Sequence, residues 1–165
     1  MKQFGDIFEQ LFAPYSDATF TDIGGVVGGN DSKLTNKMLV IINDNTRSTT
    51  KTEEMFKSIV SSASVKRMNR RNVSNFILTS NNATLISINA NDNKFLCIQC
   101  SNLLVDNKEF FDALEKCKTK QFYSALLTFL LQRDTTNFDP KVIPMTEAKK
   151  EMTQNSLDDV DRWVA

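Results

Sequence analysis

Residues 38–48 read MLVIINDNTRS, an apolar run that stops abruptly at two polar residues. The five apolar side chains from Met38 to Ile42 are typical of a buried strand. Asn43 and Asp44 follow directly, and in open α/β sheets the ligand crevice lies outside the carboxyl ends of the strands. The stretch therefore predicts a core strand that ends at a candidate site, although an ordinary strand closed by an Asx turn would have the same residues.

A second strand shows the same pattern further along the chain. Residues 75–80 (NFILTS) form an apolar run that ends at Asn81-Asn82, and another strand is expected near residues 95–99. Between the first two strands a helix is predicted over residues 51–61, with an inner face of Met55, Phe56, Ile59 and Val60. Short apolar strands with helices between and after them indicate an α/β sheet covered by helices.

Amphipathic patterns predict helices at both ends of the chain. At the start, an apolar stripe that Pro14 closes consists of Phe4, Ile7, Phe8, Leu11 and Phe12. In the second half, helices are expected at about residues 107–118, 121–132, 146–153 and 156–164. Since no repeat or linker divides the chain, we expect one domain, with an α/β core at residues 1–105 and a C-terminal helical region at 106–165.

The segment from Thr19 to Asn36 holds four of the five glycines and is predicted to be a loop with a short strand. A glycine-rich loop invites a phosphate-binding interpretation. This one does not match the pattern Gly-x-x-x-x-Gly-Lys-Ser/Thr, so the segment by itself gives little support for phosphate binding.

Composition excludes several classes of function. Lysine plus arginine and aspartate plus glutamate both number 20, so any contact with nucleic acid must come from a local patch. Histidine is absent, which removes Ser-His-Asp and Cys-His catalysis. Cys97 and Cys100 have CxxC spacing but no second pair, so together with Cys117 they are expected to be buried, reduced thiols of an intracellular protein. No apolar run is long enough for a membrane helix.

The two polar strand ends, in their order, resemble the Walker B and sensor 1 positions of superfamily 3 helicases, AAA+ ATPases of viruses, phages and mobile elements. Residues 122–152 (FYSALLTFLLQRDTTNFDPKVIPMTEAKKEM) resemble the C-terminal signature of the primase-helicases in that family. The positions that carry this resemblance are Leu130, Leu131, Arg133, Asp134, Asn137, Phe138, Pro140, Pro144, Thr146, Glu147 and Lys149. The resemblance covers nearly the whole chain.

The resemblance implies a partial AAA+ (P-loop NTPase-like) sheet that in the intact family domain binds ATP and Mg²⁺. Residues 2–17 (KQFGDIFEQLFAPYSD) are similar to the helix that follows the P-loop in these helicases, with Ala13-Pro14-Tyr15 at its end. The Gly-Lys-Ser/Thr of the P-loop itself is not in the sequence. We therefore expect that the chain does not hydrolyse ATP by itself.

The resemblance also assigns roles to individual residues. Asn43 matches the Walker B aspartate that helps hold Mg²⁺, and Asp44 matches the glutamate that activates the attacking water. Asp44 is thus the carboxylate that remains for a metal, and Asn81 matches sensor 1. Lys94 matches an arginine-finger position, where lysine offers charge without the bidentate fork of arginine. The alternatives are turns after the strands for Asn43, Asp44 and Asn81, and an exposed lysine in a polar hairpin for Lys94.

A basic segment lies between the two predicted strands and contains Lys66, Arg67, Arg70 and Arg71. Related helicases place a hairpin there that grips the backbone of single-stranded DNA, and four cations could meet successive phosphates. The alternative is a solvated, charged turn.

Three functions remain open from the sequence. The first is a fragment or degenerate relative of a viral or phage-type ATP-dependent DNA helicase, which would work as a homo-oligomeric ring in host cytoplasm or at a viral replication site. The second is a stand-alone oligomerisation or nucleic-acid-tethering module built on an AAA+ core. The third is an unrelated α/β binding domain.

Overall fold

The computed structural model describes residues 2–28, 33–43, 48–62, 64–65, 70–82, 86–89 and 91–156. Its strands are β1 (Ser16–Phe20), β2 (Leu39–Ile42), β3 (Ser64–Val65), β4 (Arg70–Arg71) and β5 (Asn75–Leu78). Its helices are α1 (Lys2–Leu11), α2 (Ile23–Gly28), α3 (Thr50–Ser61), α4 (Lys108–Cys117), α5 (Lys120–Leu131) and α6 (Glu147–Asn155).

The apolar run of the opening stretch forms β2, the central strand of a three-stranded parallel sheet with the order β1-β2-β5. All four of its side chains are buried, because the strand has a partner on each edge and helices on both faces. β5 pairs in register, with Leu39 opposite Asn75 and Ile42 opposite Leu78. The predicted α/β class and both of these strands are confirmed.

The main core lies between the sheet and the helices α2 and α3. Phe56 is fully buried there, and its ring meets the edge of Phe76 from β5 at 5.2 Å between centroids. The buried members of this cluster are Phe20, Ile23, Val26, Leu34, Val40, Ile42, Phe56, Ile86, Ile88 and Cys97. The cluster joins residues from the first 60 positions to residues 86–97, so the chain after β5 belongs to the same core.

Helix α3 begins after its N-cap, Thr49, whose side chain accepts a hydrogen bond from the Thr52 N–H. The prediction that Met55 lies on the inner face is wrong, since its side chain is 46% exposed. Glu53 takes the inward position three residues before Phe56, and its carboxylate accepts a hydrogen bond from the Ser87 N–H at 2.9 Å. Met55 is turned about 100° from Phe56 around the helix.

The glycine-rich segment is not the loop that its composition predicts. The strand β1 lies mostly before the segment and reaches only its first two residues, and Ile23–Gly28 forms the helix α2. Asp22 Oδ1 accepts a hydrogen bond from the Gly25 N–H at 2.8 Å and so starts the helix. Ile23 and Val26 are buried three residues apart, and this packing overrides the low helix propensity of glycine.

Residues 95–99 do not form the predicted strand. The segment bonds to side chains rather than to a neighbouring strand: the Phe95 N–H donates to Asp92 Oδ1, and Thr146 Oγ1 donates to the carbonyl of Cys97. Cys97 is buried, whereas Cys100 and Cys117 are exposed, so the expectation of three buried thiols is wrong for two of them. Burial raises the pKa of the Cys97 thiol.

The helices α4, α5 and α6 match the predicted C-terminal helices within a few residues, and each begins after a side-chain cap: Asn107, Thr119 and Thr146. Of the last predicted helix only Ser156 lies among the described residues. Within α6, Lys149 is 1% exposed and donates to the carbonyl of Asp92 at 2.6 Å. None of the helices described is long and apolar enough to cross a membrane.

Phe56→Ala is expected to lower the free energy of unfolding by about 3–5 kcal/mol, because it leaves a cavity between α3 and the sheet. Met55→Ala, one residue away in the same helix and exposed, is expected to change it by less than about 1 kcal/mol. Urea unfolding followed by circular dichroism measures both. Equal effects of the two substitutions would contradict the orientation of α3.

Candidate functional site at the carboxyl edge of the sheet

The strands β2 and β5 end side by side. The Thr79 N–H donates to the carbonyl of Ile42 at 3.0 Å, and the Asn43 N–H donates to the carbonyl of Phe20 at the same distance. Because all three strands are parallel, their carboxyl ends meet at one edge of the sheet. Asn43 and the segment from Thr79 to Asn81 therefore lie at this edge.

Asn43 has an unusual environment for a polar side chain. Its Oδ1 atom is buried and has no hydrogen-bond partner among the described residues, and its Nδ2 atom makes a long contact, 3.5 Å to the carbonyl of Ala18. A buried acceptor without a partner costs about 1–3 kcal/mol. Buried polar groups of this kind call for an explanation, and a bound ligand or ion is one of the recognised ones.

Helix α1 passes close to this carboxamide. A Cβ atom placed on Gly5 would lie 3.1 Å from Asn43 Oδ1 and 3.3 Å from Ile41 Cγ2, which is tighter than an ordinary contact. A glycine inside a helix costs about 1 kcal/mol relative to alanine, so the close approach explains its presence. The sequence patterns did not identify Gly5 as a functional residue. A single glycine inside a strongly amphipathic helix was the signal that could have indicated a close contact there.

The other candidates after the strands differ from Asn43. Asn81 is exposed, and the Asn82 N–H donates to Ser80 Oγ at 3.0 Å, which is the local turn proposed as the alternative to a sensor role. Asp44, the candidate metal ligand, lies outside the described residues. Of the two residues that the resemblance matches to Walker B, Asn43 is therefore the one whose surroundings can be described.

Lys94 does not lie at this edge. Its Nζ atom donates to Ser61 Oγ at 2.5 Å, which places it at the C-terminal end of α3. In the same helical turn, the carbonyl of Ile59 accepts a hydrogen bond from Asn72 Nδ2. Asn72 lies three residues before β5 begins. The end of α3 is thus near the amino ends of the strands, and the structure does not bring Lys94 together with Asn43 and Asn81.

The turn that carries Lys94 is fixed by buried polar contacts. Asp92 Oδ1 accepts hydrogen bonds from the Lys94 and Phe95 N–H groups, both at 2.9 Å. The buried ammonium of Lys149 donates to the Asp92 carbonyl and lies 3.9 Å from Asp92 Oδ1. Lys149 belongs to the tail that carries the family resemblance, but the sequence contains no local signal for this contact.

The basic segment is partly visible. β3 and β4 form an antiparallel pair, with Ser64 opposite Arg71 and Val65 opposite Arg70. Lys66 and Arg67 lie in the connection between the two strands, outside the described residues. Asn72 directly follows β4 and contacts the C-terminal end of α3. The base of this hairpin and Lys94 therefore lie near the same end of α3.

The described residues do not fit a complete site for ATP and Mg²⁺. Nowhere in this part of the chain do three or more histidine, cysteine, aspartate or glutamate side chains gather as a metal site. At the carboxyl edge, Asn43 offers a neutral amide oxygen, which brings no charge to a divalent cation.

Asn43→Leu is expected to raise the free energy of unfolding, by up to about 1 kcal/mol, because it replaces an unpartnered buried amide with an apolar group of similar shape. Asn81→Leu, at the exposed neighbouring strand end, is the control and should stay within about 0.5 kcal/mol of the parent. Urea unfolding measures both. Destabilisation by more than about 2 kcal/mol in Asn43→Leu would mean that the carboxamide is satisfied.

Comparison with known proteins gives a likeness in fold. No protein-family model and no curated protein sequence matches the chain. Among solved structures, the apo structure of the NrS-1 C-terminal region (305–718) matches with a TM-score of 0.67 and 18% identity, over 96% of this chain and 40% of that chain. The A form apo structure of the same region matches with a TM-score of 0.69 and 17% identity, over 98% of this chain and 44% of that one. The chain thus spans less than half of the structures it resembles, and at these identities the likeness shows a shared α/β fold.

Proposed function

We propose that the chain is the C-terminal part, or a degenerate relative, of a superfamily 3 helicase ATPase domain that serves viral or mobile-element DNA replication. The observation that carries the proposal is the buried Oδ1 atom of Asn43, at the end of the central strand, which has no hydrogen-bond partner among the described residues. An unsatisfied acceptor costs stability, and the resemblance matches this residue to the acid that helps hold the metal in the family. Sites that need a strained or unsatisfied group commonly trade stability for function.

The position of Asn43 in the sheet supports the same proposal. In open parallel sheets, ligands bind outside the carboxyl ends of the strands, and Asn43 is at that edge on the central strand. Helix α1, which resembles the helix after a P-loop, passes directly over this residue at Gly5. The likeness to the NrS-1 C-terminal region is consistent with this arrangement of elements.

The residues at the catalytic positions differ from those of an active ATPase of the family. Asn43 replaces an acid with an amide, and Asp44 is one methylene shorter than the glutamate of the family. A carboxylate displaced by about an ångström from the attacking water costs about 100-fold in rate. Lys94 brings charge without a bidentate fork, which weakens stabilisation of a transferring phosphoryl group. These departures all favour loss of hydrolysis.

A role in binding single-stranded DNA rests on the basic hairpin. β4 holds Arg70 and Arg71 at the base of the antiparallel pair, and Lys94 lies near the same end of α3. Clustered cations suit a phosphate backbone, and contacts of this kind are blind to base sequence.

We expect no ATP hydrolysis above background from the 165-residue chain, with or without Mg²⁺, because the sequence lacks the lysine and hydroxyl of a P-loop. A coupled phosphate-release assay measures it. The matched variant is Asp44→Ala, which removes the carboxylate that matches the family position. Hydrolysis that is present in the parent and lost in Asp44→Ala would contradict the expectation.

We also expect weak binding to single-stranded DNA that falls steeply with salt. Arg70→Gln/Arg71→Gln should lower the slope of log K against log salt by about 1.4, since each phosphate contact contributes about 0.7 on single strands. The control is Lys120→Gln/Lys141→Gln, which removes the same charge from exposed positions outside the hairpin. Fluorescence anisotropy with a labelled oligonucleotide measures both. If the two double variants bind alike, the hairpin is not the contact.

The stand-alone module is the second candidate, and the exposed apolar side chains of α5 favour it. The coding sequence directly upstream of Met1 separates the two candidates. An in-frame Gly-x-x-x-x-Gly-Lys-Ser/Thr there supports the helicase fragment. A stop codon and a ribosome-binding site there support the module.

A further inference from the structure

Exposed apolar residues gather at the amino edge of the sheet, where the three parallel strands begin. Tyr15 directly precedes β1 and is 53% exposed, and Met38 directly precedes β2 and is 48% exposed. Val73 lies two residues before β5 and is also 48% exposed. Single exposed apolar residues are ordinary on a protein surface, whereas several along one edge form a patch that calls for a function. We name these three residues the amino-edge patch.

The backbone of the amino-edge patch is held firmly by hydrogen bonds. The Tyr15 N–H donates to the carbonyl of Phe12 at 2.7 Å, and the Tyr15 carbonyl accepts from the Met38 N–H at 2.7 Å. The Met38 carbonyl in turn accepts from the Asn75 N–H at 2.9 Å. Since neighbouring strands lie about 4.8 Å apart, the start of β5 is about 10 Å from Tyr15. Tyr15 thus presents an exposed aromatic side chain on a fixed backbone.

A cation lies directly beside this aromatic residue. Lys37 Nζ donates to the carbonyl of Pro14 at 3.0 Å and to the carbonyl of Ser16 at 2.6 Å, which are the residues on either side of Tyr15. An ammonium has three N–H donors, so one donor remains for a further acceptor. The two carbonyls are neutral, so these contacts leave the positive charge of Lys37 uncompensated.

The basic hairpin reaches the other end of the amino-edge patch. Val73 follows β4 by two residues, and the Ser74 hydroxyl donates to the carbonyl of Lys37 at 2.8 Å. The patch therefore has the Lys37 ammonium beside Tyr15 at one end and the base of the hairpin beside Val73 at the other. Residues 64–74 of the basic segment include no aromatic residue, so any stacking of bases needs a group outside the hairpin.

This combination of charge and aromatic surface suits single-stranded nucleic acid. Its phosphates pair with cations, and its bases stack on aromatic side chains without regard to sequence. An apolar protein partner suits the edge less well, because it would bury the Lys37 ammonium without an anion. Asp17, the acidic residue nearest to Tyr15 along the chain, does not offset this, because its carboxylate accepts from the N–H and the hydroxyl of Thr19.

We propose that Tyr15 is a stacking platform for a base of single-stranded DNA, and that the Lys37 ammonium contacts a neighbouring phosphate. The inference rests on the proposed function, from which it takes the strand bound by Arg70 and Arg71. It extends that binding surface from the hairpin, across Met38, to the far side of the sheet. The amino edge is opposite the carboxyl edge, so this contact is separate from the chemistry at Asn43.

Fluorescence anisotropy with two labelled strands of equal length, an oligothymidylate and an abasic sugar-phosphate strand, tests the platform. The parent is expected to bind the thymidylate about 5- to 100-fold more tightly, which is the value of stacking one base. Tyr15→Ala should abolish most of this preference and leave the slope of log K against log salt unchanged, because stacking releases no counterions. The control is Phe138→Ala, which removes an aromatic side chain of a residue that is 69% exposed and should keep the preference.

The hairpin variant Arg70→Gln/Arg71→Gln separates this inference from the proposed function. If that variant binds more weakly than the parent while Tyr15→Ala retains the preference for bases, the platform is overturned and the hairpin contact stands. A parent that binds neither strand would overturn both. A parent that binds both strands equally would overturn the platform alone.

A spectroscopic variant covers the case in which Tyr15→Ala fails to fold. Tyr15→Trp keeps a stacking surface, and Trp163→Phe in the same chain removes the one natural tryptophan. The indole emission of this variant should be quenched by the thymidylate strand and not by the abasic strand. Equal emission with the two strands at saturation would overturn the platform.

Discussion

The structure depends on the complete burial of β2. Its four residues, Leu39 to Ile42, have a strand on each edge and helices on both faces, so none of their side chains reaches water. Val40 and Ile42 point to the core with α2 and α3, and Ile41 points to α1 at Gly5. The strand is followed by Asn43, whose Oδ1 atom is still buried where the sheet ends. The candidate site is a direct consequence of the position of β2.

A second constraint joins the C-terminal region to this core. The ammonium of Lys149 is buried and held by the carbonyl of Asp92, and Ser156 Oγ accepts from the Ile88 N–H at 3.2 Å. Helix α6 is thereby attached through polar groups to the segment between residues 86 and 95. In the described chain the helices α4 and α5 bury no side chain, and the Lys118 ammonium at the end of α4 donates to Gln3 Oε1 of α1. The two parts of the C-terminal region therefore differ in how firmly the core holds them.

The sequence predicts the elements whose signals are local. β2 and β5 follow from continuous apolar runs, and α4, α5 and α6 follow from periodicity and from cap residues such as Asn107 and Thr146. The failures arise where distant contacts decide. α2 forms across glycines because Ile23 and Val26 are buried in the core. Residues 95–99 do not form a strand, since the carbonyl of Cys97 accepts a hydrogen bond from the Thr146 hydroxyl instead of from a neighbouring strand. The position of Asn43 was predictable from its strand, whereas Lys94 was not, because its place depends on a hydrogen bond to Ser61, 33 residues earlier.

The contact between Gly5 and Asn43 has a consequence for how the protein can evolve. The two positions are far apart in the chain, yet a side chain at position 5 and a carboxamide at position 43 compete for the same volume. Neither residue can change freely while the other is fixed. In related sequences, a larger residue at position 5 should therefore be accompanied by a smaller one at position 43, and this pairwise covariation would mark descent from the same ancestral helix-strand contact.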